Sequence, residues 1–307
     1  MRPDIPAKRR AFAALHRSGC FVIPNPWDAG SARYLQSLGF QALATTSAGF
    51  AWSHARPDNG VTRDMALAHL REMVAAVDVP INADFENGFA PDAAGVAENV
   101  RRAVTTGVAG LSIEDSTGDA ARPLFTLDEA VQRIRAARSA IDRAGGGVML
   151  VGRAECFLVG RPDLTQTIAR LQAYANAGAD CLYAPGVTTR EQIVALVEAV
   201  APKPLNLLVG TASELAVADL APLGVRGIRV GRELTGKLFG IQMISSEQLG
   251  YTRFTENKIY ITPLPILRGE MHGREVVRAL ILHEYGHHMY HRGEEAQRED
   301  HEERRGH

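Results

Sequence analysis

The sequence predicts a (β/α)₈ barrel of the TIM type over residues 1–235, followed by an atypical tail over residues 236–307. Eight short apolar runs alternate with amphipathic helical segments, and most of these runs end in polar or charged residues. A glycine often precedes an apolar run, as expected for the left-handed residue that ends a helix. A doubly wound open sheet is the alternative, but the chain has neither a G-x-G-x-x-G loop after its first run nor a P-loop motif.

The predicted elements follow one another along the chain. The strands are expected at Cys20–Ile23, Ala42–Thr45, Val79–Ala83, Gly110–Ile113, Val148–Val151, Asp180–Tyr183, Pro204–Leu208 and Gly227–Val230. The clearest helices are expected at Thr62–Val77, Ala93–Thr106, Thr126–Ala144, Asp163–Ala177 and Thr189–Val200. Thr126 with Glu129 predicts a capping box, and Thr62 predicts an N-cap. The glycines expected to end helices in a left-handed conformation are Gly39, Gly107, Gly178 and Gly224.

The composition argues against several classes of partner. The 34 basic and 35 acidic residues nearly balance, so neither nucleic acid nor a membrane surface is expected to bind the protein. The three cysteines, Cys20, Cys156 and Cys181, are odd in number and scattered, which favours a reducing compartment over a disulfide framework. The N-terminal region lacks the apolar core of a secretory signal, and no apolar run reaches membrane-spanning length. We therefore expect a cytoplasmic protein.

The stretch from Asn82 to Gly88, after the third predicted strand, is the most informative in the chain. Asp84 and Glu86 are two residues apart, so in an extended chain their side chains leave on the same side. Two such carboxylates repel each other unless a cation lies between them, and oxygen ligands suit Mg²⁺. Barrel enzymes place their reactive groups at the C-terminal ends of the strands. The other polar groups at predicted strand ends are Asn25, Asp28, Ser47, Glu114, Asp115, Arg153, Glu155, Tyr183 and Asn206.

Residues 20–231 resemble the isocitrate lyase/phosphoenolpyruvate mutase superfamily in the order and spacing of six stretches. These are Pro24–Gly30, Thr45–Gly49, His54–Asp58, Ala83–Gly88, Ser112–Asp115 and Gly152–Glu155. The resemblance implies a barrel enzyme that uses Mg²⁺, with Mn²⁺ as an alternative, to make or break a C–C or P–C bond next to a 2-oxo acid. It also implies a small-molecule substrate and a homo-oligomer assembled through exchanged helices, which we do not recognise in this sequence.

The resemblance assigns roles to individual residues. The implied metal site consists of Asp84 as the direct ligand, with the metal's waters held by Asp58, Glu86 and Glu114. The Ser47-Ala48-Gly49 turn would offer N–H groups to the substrate's carboxylate and oxo oxygen. Arg153 would balance the substrate's negative charge with a planar guanidinium. The catalytic groups would be Arg153, Ser47, Gly49 and Asp58, and the family places further substrate-facing groups at Tyr183 and Asn206. Asp28, Asp115 and Glu155 are expected to orient ligands and Arg153.

The sequence departs from the family pattern after Glu114. Isocitrate and methylisocitrate lyases carry a Lys-Lys/Arg-Cys-Gly-His loop there, and its thiol donates a proton. The corresponding stretch of this chain, residues 116–123, contains neither cysteine nor histidine, and the Lys-Thr-Asn-Ser loop of the mutases is also absent. We therefore favour a smaller 2-oxo acid, such as an oxaloacetate-like substrate, over isocitrate.

The tail contains His283-Glu284-Tyr-Gly-His287 after an apolar helical run. It resembles the active-site helix of zinc metallopeptidases: on a helix, His283 and His287 share a face and would bind Zn²⁺, with Glu284 as the general base. The metzincin pattern is excluded because Gly293, rather than a histidine, lies six residues after His287. The third zinc ligand stays open, and the charged residues 291–307 are expected to be disordered.

Three functions therefore remain open from the sequence. The first is a Mg²⁺-dependent lyase built on the carboxylates at the strand ends. The second is a zinc metallopeptidase built on the tail motif, and the third is a non-catalytic barrel that binds a small carboxylate.

Overall fold

The computed structural model describes residues 4–209, 215 and 217–230. The chain divides into two units, Met1–Thr235 and Gly236–His307, and the described residues all belong to the first. The described strands are β1 Phe21–Pro24, β2 Leu43–Ala44, β3 Ile81–Asp84, β4 Gly110–Glu114, β5 Met149–Arg153, β6 Cys181–Tyr183, β7 Leu205–Val209 and β8 Gly227–Val230. The described helices are α1 Ile5–Leu15, α2 Ala29–Ser37, α3 Ser47–Ser53, α4 Arg63–Ala76, α5 Ala93–Val104, α6 Leu127–Arg143, α7 Leu164–Asn176, α8 Arg190–Val200 and α9 Val217–Leu220, followed by a 3₁₀ turn at Ala221–Leu223.

The eight strands form one parallel sheet that curls into a barrel. Each strand from β2 to β7 pairs with the next along the chain, and β8 also pairs with β1. Asn25, directly after β1, connects β1 to β2, the last pair of neighbours around the barrel. Its Nδ2 donates to Ala44 O at 3.1 Å and to Thr45 O at 3.2 Å. The predicted (β/α)₈ barrel is confirmed, and the doubly wound alternative is wrong because the first and last strands are neighbours.

Helix α1 was not among the predicted elements, and it contributes Phe12 to the barrel core. Phe12 is fully buried in a cluster with Ala109, Met149 and Cys181. Burying a side chain of this size is worth roughly 1.5–3 kcal/mol. On the same helix, Lys8 Nζ donates to Val77 O at 2.6 Å, directly after α4. Because its only buried side chains are Lys8 and Phe12, the helix has no apolar stripe that the sequence would reveal.

The local signals that end and begin the helices are confirmed. The four expected glycines all have left-handed backbones, with φ values of 88° at Gly39, 93° at Gly107, 105° at Gly178 and 92° at Gly224. Thr126 and Glu129 form the expected capping box at the start of α6, and Thr62 caps α4. These signals could be predicted because each depends on a few adjacent residues.

The short helix α3 differs from the prediction, which treats Ser47 to Gly49 as a turn. Thr46 accepts a hydrogen bond from Gly49 N at 3.1 Å and caps the helix, so these residues form its first turn. Seven residues are too few for a helical period to stand out in the sequence. None of the helices in the described part of the chain is long and apolar enough to cross a membrane.

Replacing Thr126 should test the capping box of α6. In Thr126→Ala the N–H of Glu129 loses its acceptor, and the Glu129 carboxylate loses its bond from the Thr126 hydroxyl. We expect the free energy of unfolding, measured in urea, to fall by about 1 kcal/mol. Thr126→Ser keeps both groups and should stay within about 0.5 kcal/mol of the unmodified chain. An equal loss in both variants would contradict this account of the cap.

Candidate active site

Four polar residues predicted at strand ends lie side by side on consecutive strands. Glu114 of β4 is the register partner of Arg153 on β5, and Arg153 is the partner of Tyr183 on β6. Tyr183 is in turn the partner of Asn206 on β7. Asp84 ends the neighbouring strand β3. Glu114, Arg153 and Tyr183 end their strands, as Asp84 ends β3, and barrel enzymes place their active sites at this end. The predicted position of Asn206 is wrong: it is the second residue of β7, because the register of the tilted strands runs diagonally across the barrel.

The guanidinium of Arg153 holds the acidic side chains of this edge together. Its Nη1 lies 3.1 Å from Asp84 Oδ1 and 3.3 Å from Glu114 Oε2, and its Nε donates to Glu155 Oε1. The side chain of Arg153 is only 13% exposed, and those of Asp84 and Glu114 are 9% and 10% exposed. A buried cation with several carboxylate partners is stable only as a network, because each ion alone would carry a large desolvation cost.

Negative charge outweighs positive charge around Arg153. Burial disfavours the charged guanidinium, but Glu155, Glu114 and Asp84 outweigh that effect and raise the pKa of Arg153. Burial also raises the pKa of Glu114 well above its usual value, and Arg153 only partly counteracts the shift. The same balance raises the pKa of Glu155. Among the described groups here, the acids lack full compensation, which would favour an additional cation.

Glu86 is the most strained member of the group. It has a left-handed backbone with φ 44°, which is unusual for a residue other than glycine. Its carbonyl oxygen accepts a hydrogen bond from Glu114 N at 3.0 Å, which ties the ends of β3 and β4 together. Glu86 is 6% exposed, and Oε1 has no hydrogen-bond partner among the described residues. Burial, with the charges of Asp84 and Asp58, raises its carboxyl pKa to about 8.

The start of α3 contacts the same cluster. Asp84 Oδ2 accepts hydrogen bonds from Ser47 N at 3.1 Å and from Ser47 Oγ at 3.0 Å. Gly49 N donates to the cap residue Thr46, as described above. A β-carbon on Gly49 would lie 2.6 Å from Thr46 Cγ2 and 3.2 Å from Trp27 Cβ, so the close packing requires glycine. The N–H groups of Ser47 and Gly49 therefore bond within the protein in this structure, and Ala48 lies between them.

The carboxylate set fits Mg²⁺ bound mostly through water. The side chains of Asp58, Asp84, Glu86 and Glu114 offer only oxygen atoms as ligands, which hard cations prefer. The unpartnered oxygen of Glu86 would gain most from a nearby positive charge. In the described part of the chain, no three His, Cys, Asp or Glu side chains are arranged as a ready set of ligands. Asp58 is exposed, and its charge helps to raise the pKa of Glu86. One direct ligand with outer carboxylates is compatible with this arrangement.

Tyr183 is buried beside Arg153, and Asn206 is buried on the next strand, β7. The centre of the Tyr183 ring lies 5.1 Å from Arg153 Cζ and 4.6 Å from Cζ of a second arginine, Arg229 on β8. Asn206 is 1% exposed, and neither of its amide atoms has a hydrogen-bond partner among the described residues. Arg229 could not be singled out from the sequence, because an arginine in a short apolar run gives no sign that it lies inside the barrel.

Several remaining predictions can be placed. Asp28 caps α2 by accepting from Ser31 N at 2.6 Å, so its main contact is structural. The stretch after Glu114 folds back on itself through a bridge between Ser116 and Leu124. Cys156 is buried, and its thiol donates to Gln166 Oε1 at 3.6 Å. The predicted zinc site of His283, Glu284 and His287, and the expected loss of the exchanged helices, lie outside the described residues.

Comparison with known proteins adds to this geometry. The model of the family described as phosphoenolpyruvate phosphomutase matches residues 12–247, which extends the resemblance beyond residues 20–231 at both ends. A crystal structure from Burkholderia cenocepacia J2315, provisionally described as a lyase/mutase, is 48% identical with a TM-score of 0.74 and covers 77% of this chain and 86% of its own.

Two further relatives have named activities. The oxaloacetate decarboxylase of Bradyrhizobium sp. (strain ORS 278) is 32% identical over 235 residues, which span 73% of this chain and 77% of the relative. A phosphonopyruvate hydrolase, solved with oxalate and Mg²⁺, is 26% identical with a TM-score of 0.69 and covers 76% of this chain and 83% of its own.

The chain therefore belongs to the phosphoenolpyruvate phosphomutase family and is an enzyme of the wider phosphoenolpyruvate mutase/isocitrate lyase superfamily. The resemblance stated from the sequence is confirmed. No comparison supports zinc binding by the tail.

Removing the positive charge of Arg153 should expose the repulsion among the carboxylates around it. In Arg153→Met we expect the free energy of unfolding to fall by about 3–5 kcal/mol, because Asp84, Glu114 and Glu155 lose their shared partner. The acids of the folded variant would then have pKa values further above those of the unfolded chain. Stability from such groups is present at low pH and is lost as pH rises through the folded pKa, so the deficit should be larger at pH 8 than at pH 5.

Urea unfolding in the presence of EDTA at both pH values measures this difference. Arg153→Lys keeps the charge without the planar fork and should lose less stability than Arg153→Met. A deficit of Arg153→Met that is equal at pH 5 and pH 8 would contradict the electrostatic account.

Proposed function

We propose that this protein is a Mg²⁺-dependent lyase that cleaves a C–C (or P–C) bond of a small 2-oxo acid, either at the oxo carbon or one carbon further away, with an oxaloacetate-like substrate favoured over isocitrate. The observation that carries the proposal is the carboxylate group around Arg153, in which Glu86 keeps a buried, unpartnered oxygen. Relatives with named activities on oxaloacetate and phosphonopyruvate support the same class of chemistry.

The carboxylates divide into a direct ligand and outer partners. Asp84 is best placed as the direct ligand because it lies between the start of α3 and Arg153. Glu86, Glu114 and Asp58 would accept hydrogen bonds from the metal's waters, and Mn²⁺ would fit the same oxygen atoms. When bound, the cation supplies a fixed positive charge that favours negative charge on the 2-oxo oxygen as the neighbouring bond breaks.

The substrate's own negative charge would be held by groups of this chain. Arg153 offers a permanently charged guanidinium at the same edge of the barrel. The N–H groups at the start of α3, from Ser47 to Gly49, would donate to the substrate's carboxylate and oxo oxygen. Tyr183 would limit the site on the side of β6, and the amide of Asn206 would bond a polar substrate atom.

The stretch after Glu114 favours a small substrate. Residues 116–124 close into a compact turn, with Thr117 N donating to Pro123 O at 3.0 Å and Asn87 Nδ2 donating to Ser116 O at 3.2 Å. The stretch contains no thiol or imidazole that could protonate a large leaving carbanion. Loss of carbon dioxide from an oxaloacetate-like acid leaves a small enolate that solvent water can protonate, and hydrolysis brings its own proton with the attacking water. Neither reaction therefore needs an acid from this loop.

The lyase proposal is tested with oxaloacetate as the probe. The purified chain with Mg²⁺ should release pyruvate, or oxalate if hydrolysis occurs, and EDTA should abolish the reaction. In Asp84→Asn, kcat/KM should fall by about 100-fold or more, because the direct ligand loses its charge.

Asp142→Asn is the matched control, because Asp142 pairs with Arg138 on the outer helix α6. It should retain the activity of the unmodified chain. Turnover that is insensitive to EDTA, or equal in Asp84→Asn and the unmodified chain, would contradict the proposal. Loss of activity in His283→Ala with retained activity in Asp142→Asn would instead implicate the tail.

A further inference from the structure

A second buried polar cluster lies directly behind Arg153 and does not reach the proposed metal site. It consists of Asp115, Arg170 and Tyr174, which are 2%, 6% and 1% exposed. Asp115 follows Glu114 at the end of β4, whereas Arg170 and Tyr174 lie one turn apart on α7. None of the three is explained by the metal or the substrate.

Asp115 holds the segment that carries Arg153 from both sides. Its N–H donates to Arg153 O at 3.2 Å, and its Oδ1 accepts from Glu155 N at 2.8 Å. The residue between them, Ala154, donates through its N–H to Tyr183 O at 2.9 Å. Residues 153 to 155 therefore have backbone contacts to β4 and to β6, and Asp115 supplies those on the β4 side.

The other carboxylate oxygen of Asp115 is held by α7. Tyr174 Oη donates to Oδ2 at 2.6 Å, and Arg170 Nη1 lies 3.0 Å from the same atom. Arg170 Nη2 also donates to Phe125 O at 3.0 Å, and Phe125 N donates to Asp115 O at 2.9 Å. Both carboxylate oxygens and both backbone groups of Asp115 are therefore bonded. Such a residue has little freedom to move.

The direction of the Arg153 guanidinium depends on this support. Glu155 accepts from Arg153 Nε, while Nη1 faces Asp84 and Glu114. If Glu155 shifts, its hydrogen bond from Arg153 Nε shifts with it, and the guanidinium of Arg153 turns relative to Asp84 and Glu114. A misplacement of about 1 Å in a group that holds substrate can cost about 100-fold in rate.

We propose that Asp115, Arg170 and Tyr174 form a positioning unit that fixes the direction of the Arg153 guanidinium through Glu155. The hydrogen bonds described for the unit run to the backbone of residues 153 to 155 and not to the carboxylates of Asp84, Glu86 and Glu114, so it acts through that backbone. Its role in turnover rests on the proposed function, whereas its effect on Arg153 can be measured without any reaction.

Two substitutions remove the support in steps. Tyr174→Phe removes one donor to Asp115 and leaves the Arg170 pair in place. In Asp115→Asn one carboxylate oxygen becomes an NH₂ group, so either Glu155 N or both Arg170 and Tyr174 lose their acceptor. We expect kcat with oxaloacetate to fall by about 10-fold in the first variant and by about 100-fold in the second, with KM changed by less than about 3-fold.

The barrel offers a control of the same kind at another place. Asp180 accepts from Leu150 N at 2.8 Å and from Arg138 Nη1 at 2.9 Å, so it also combines a backbone N–H with an arginine. Asp180 precedes β6, at the end of the strand opposite to Tyr183. Asp180→Asn should therefore lower stability without lowering kcat.

The direct readout is the Arg153 Nε–H signal in NMR spectra of protein labelled with ¹⁵N-arginine, assigned by its absence in Arg153→Lys. We expect it to move or broaden in Tyr174→Phe and Asp115→Asn and to stay in place in Asp180→Asn. Because this readout needs no substrate, it tests the positioning role even if oxaloacetate is not turned over.

An unchanged Arg153 signal in both Tyr174→Phe and Asp115→Asn would overturn the inference. The inference would also be overturned if Asp180→Asn lost as much kcat, for the same loss in free energy of unfolding, as Tyr174→Phe and Asp115→Asn do. The loss of kcat would then follow from general stability. A moved signal with retained stability in Tyr174→Phe supports it.

Discussion

The structure depends on one electrostatic constraint, the burial of a single guanidinium among more acids than it can neutralise. Arg153 contacts Asp84, Glu114 and Glu155, and Glu86 lies close enough to raise the negative field further. A buried group of this composition is costly unless another cation joins it. Under the proposed function stability and activity would be linked, because the ion that completes the charge balance would also be the ion that the proposed chemistry requires.

The parallel barrel brings these residues together from distant parts of the sequence. Strand register alone places Glu114, Arg153, Tyr183 and Asn206 in one row, since each is the partner of the next. The acids beyond the strands need additional control of the backbone. Glu86 obtains it from a left-handed conformation and from the bond that its carbonyl accepts from Glu114 N.

Much of this arrangement could be predicted from the sequence because its signals are local. A glycine that ends a helix, a Thr-x-x-Glu capping box and a charged residue after a short apolar run each depend on a few neighbouring residues. The fold and the strand-end acids follow from such signals. Helix α1 could not be recognised, because its buried side chains are a lysine and one phenylalanine.

Contacts between distant side chains could not be predicted in the same way. The bonds of Ser47 to Asp84 depend on how the start of α3 meets β3. Tyr174 and Asp115 are 59 residues apart in the chain, and nothing near either residue indicates that they bond. Asp115 and Glu155 were expected from the sequence to orient Arg153, but their support from α7 was not.

The central claim is that the carboxylates around Arg153 hold one divalent cation through Asp84, with water filling most of its shell. Electron paramagnetic resonance of Mn²⁺ added to the protein in ¹⁷O-enriched water measures both the number of bound ions and the water on them. We expect one Mn²⁺ per chain at this site, broadened by several bound waters, some of which oxalate displaces, and at least about 10-fold weaker binding in Asp84→Asn. Equal Mn²⁺ affinity in Asp84→Asn and the unmodified chain, or a bound ion without exchangeable water, would contradict the account.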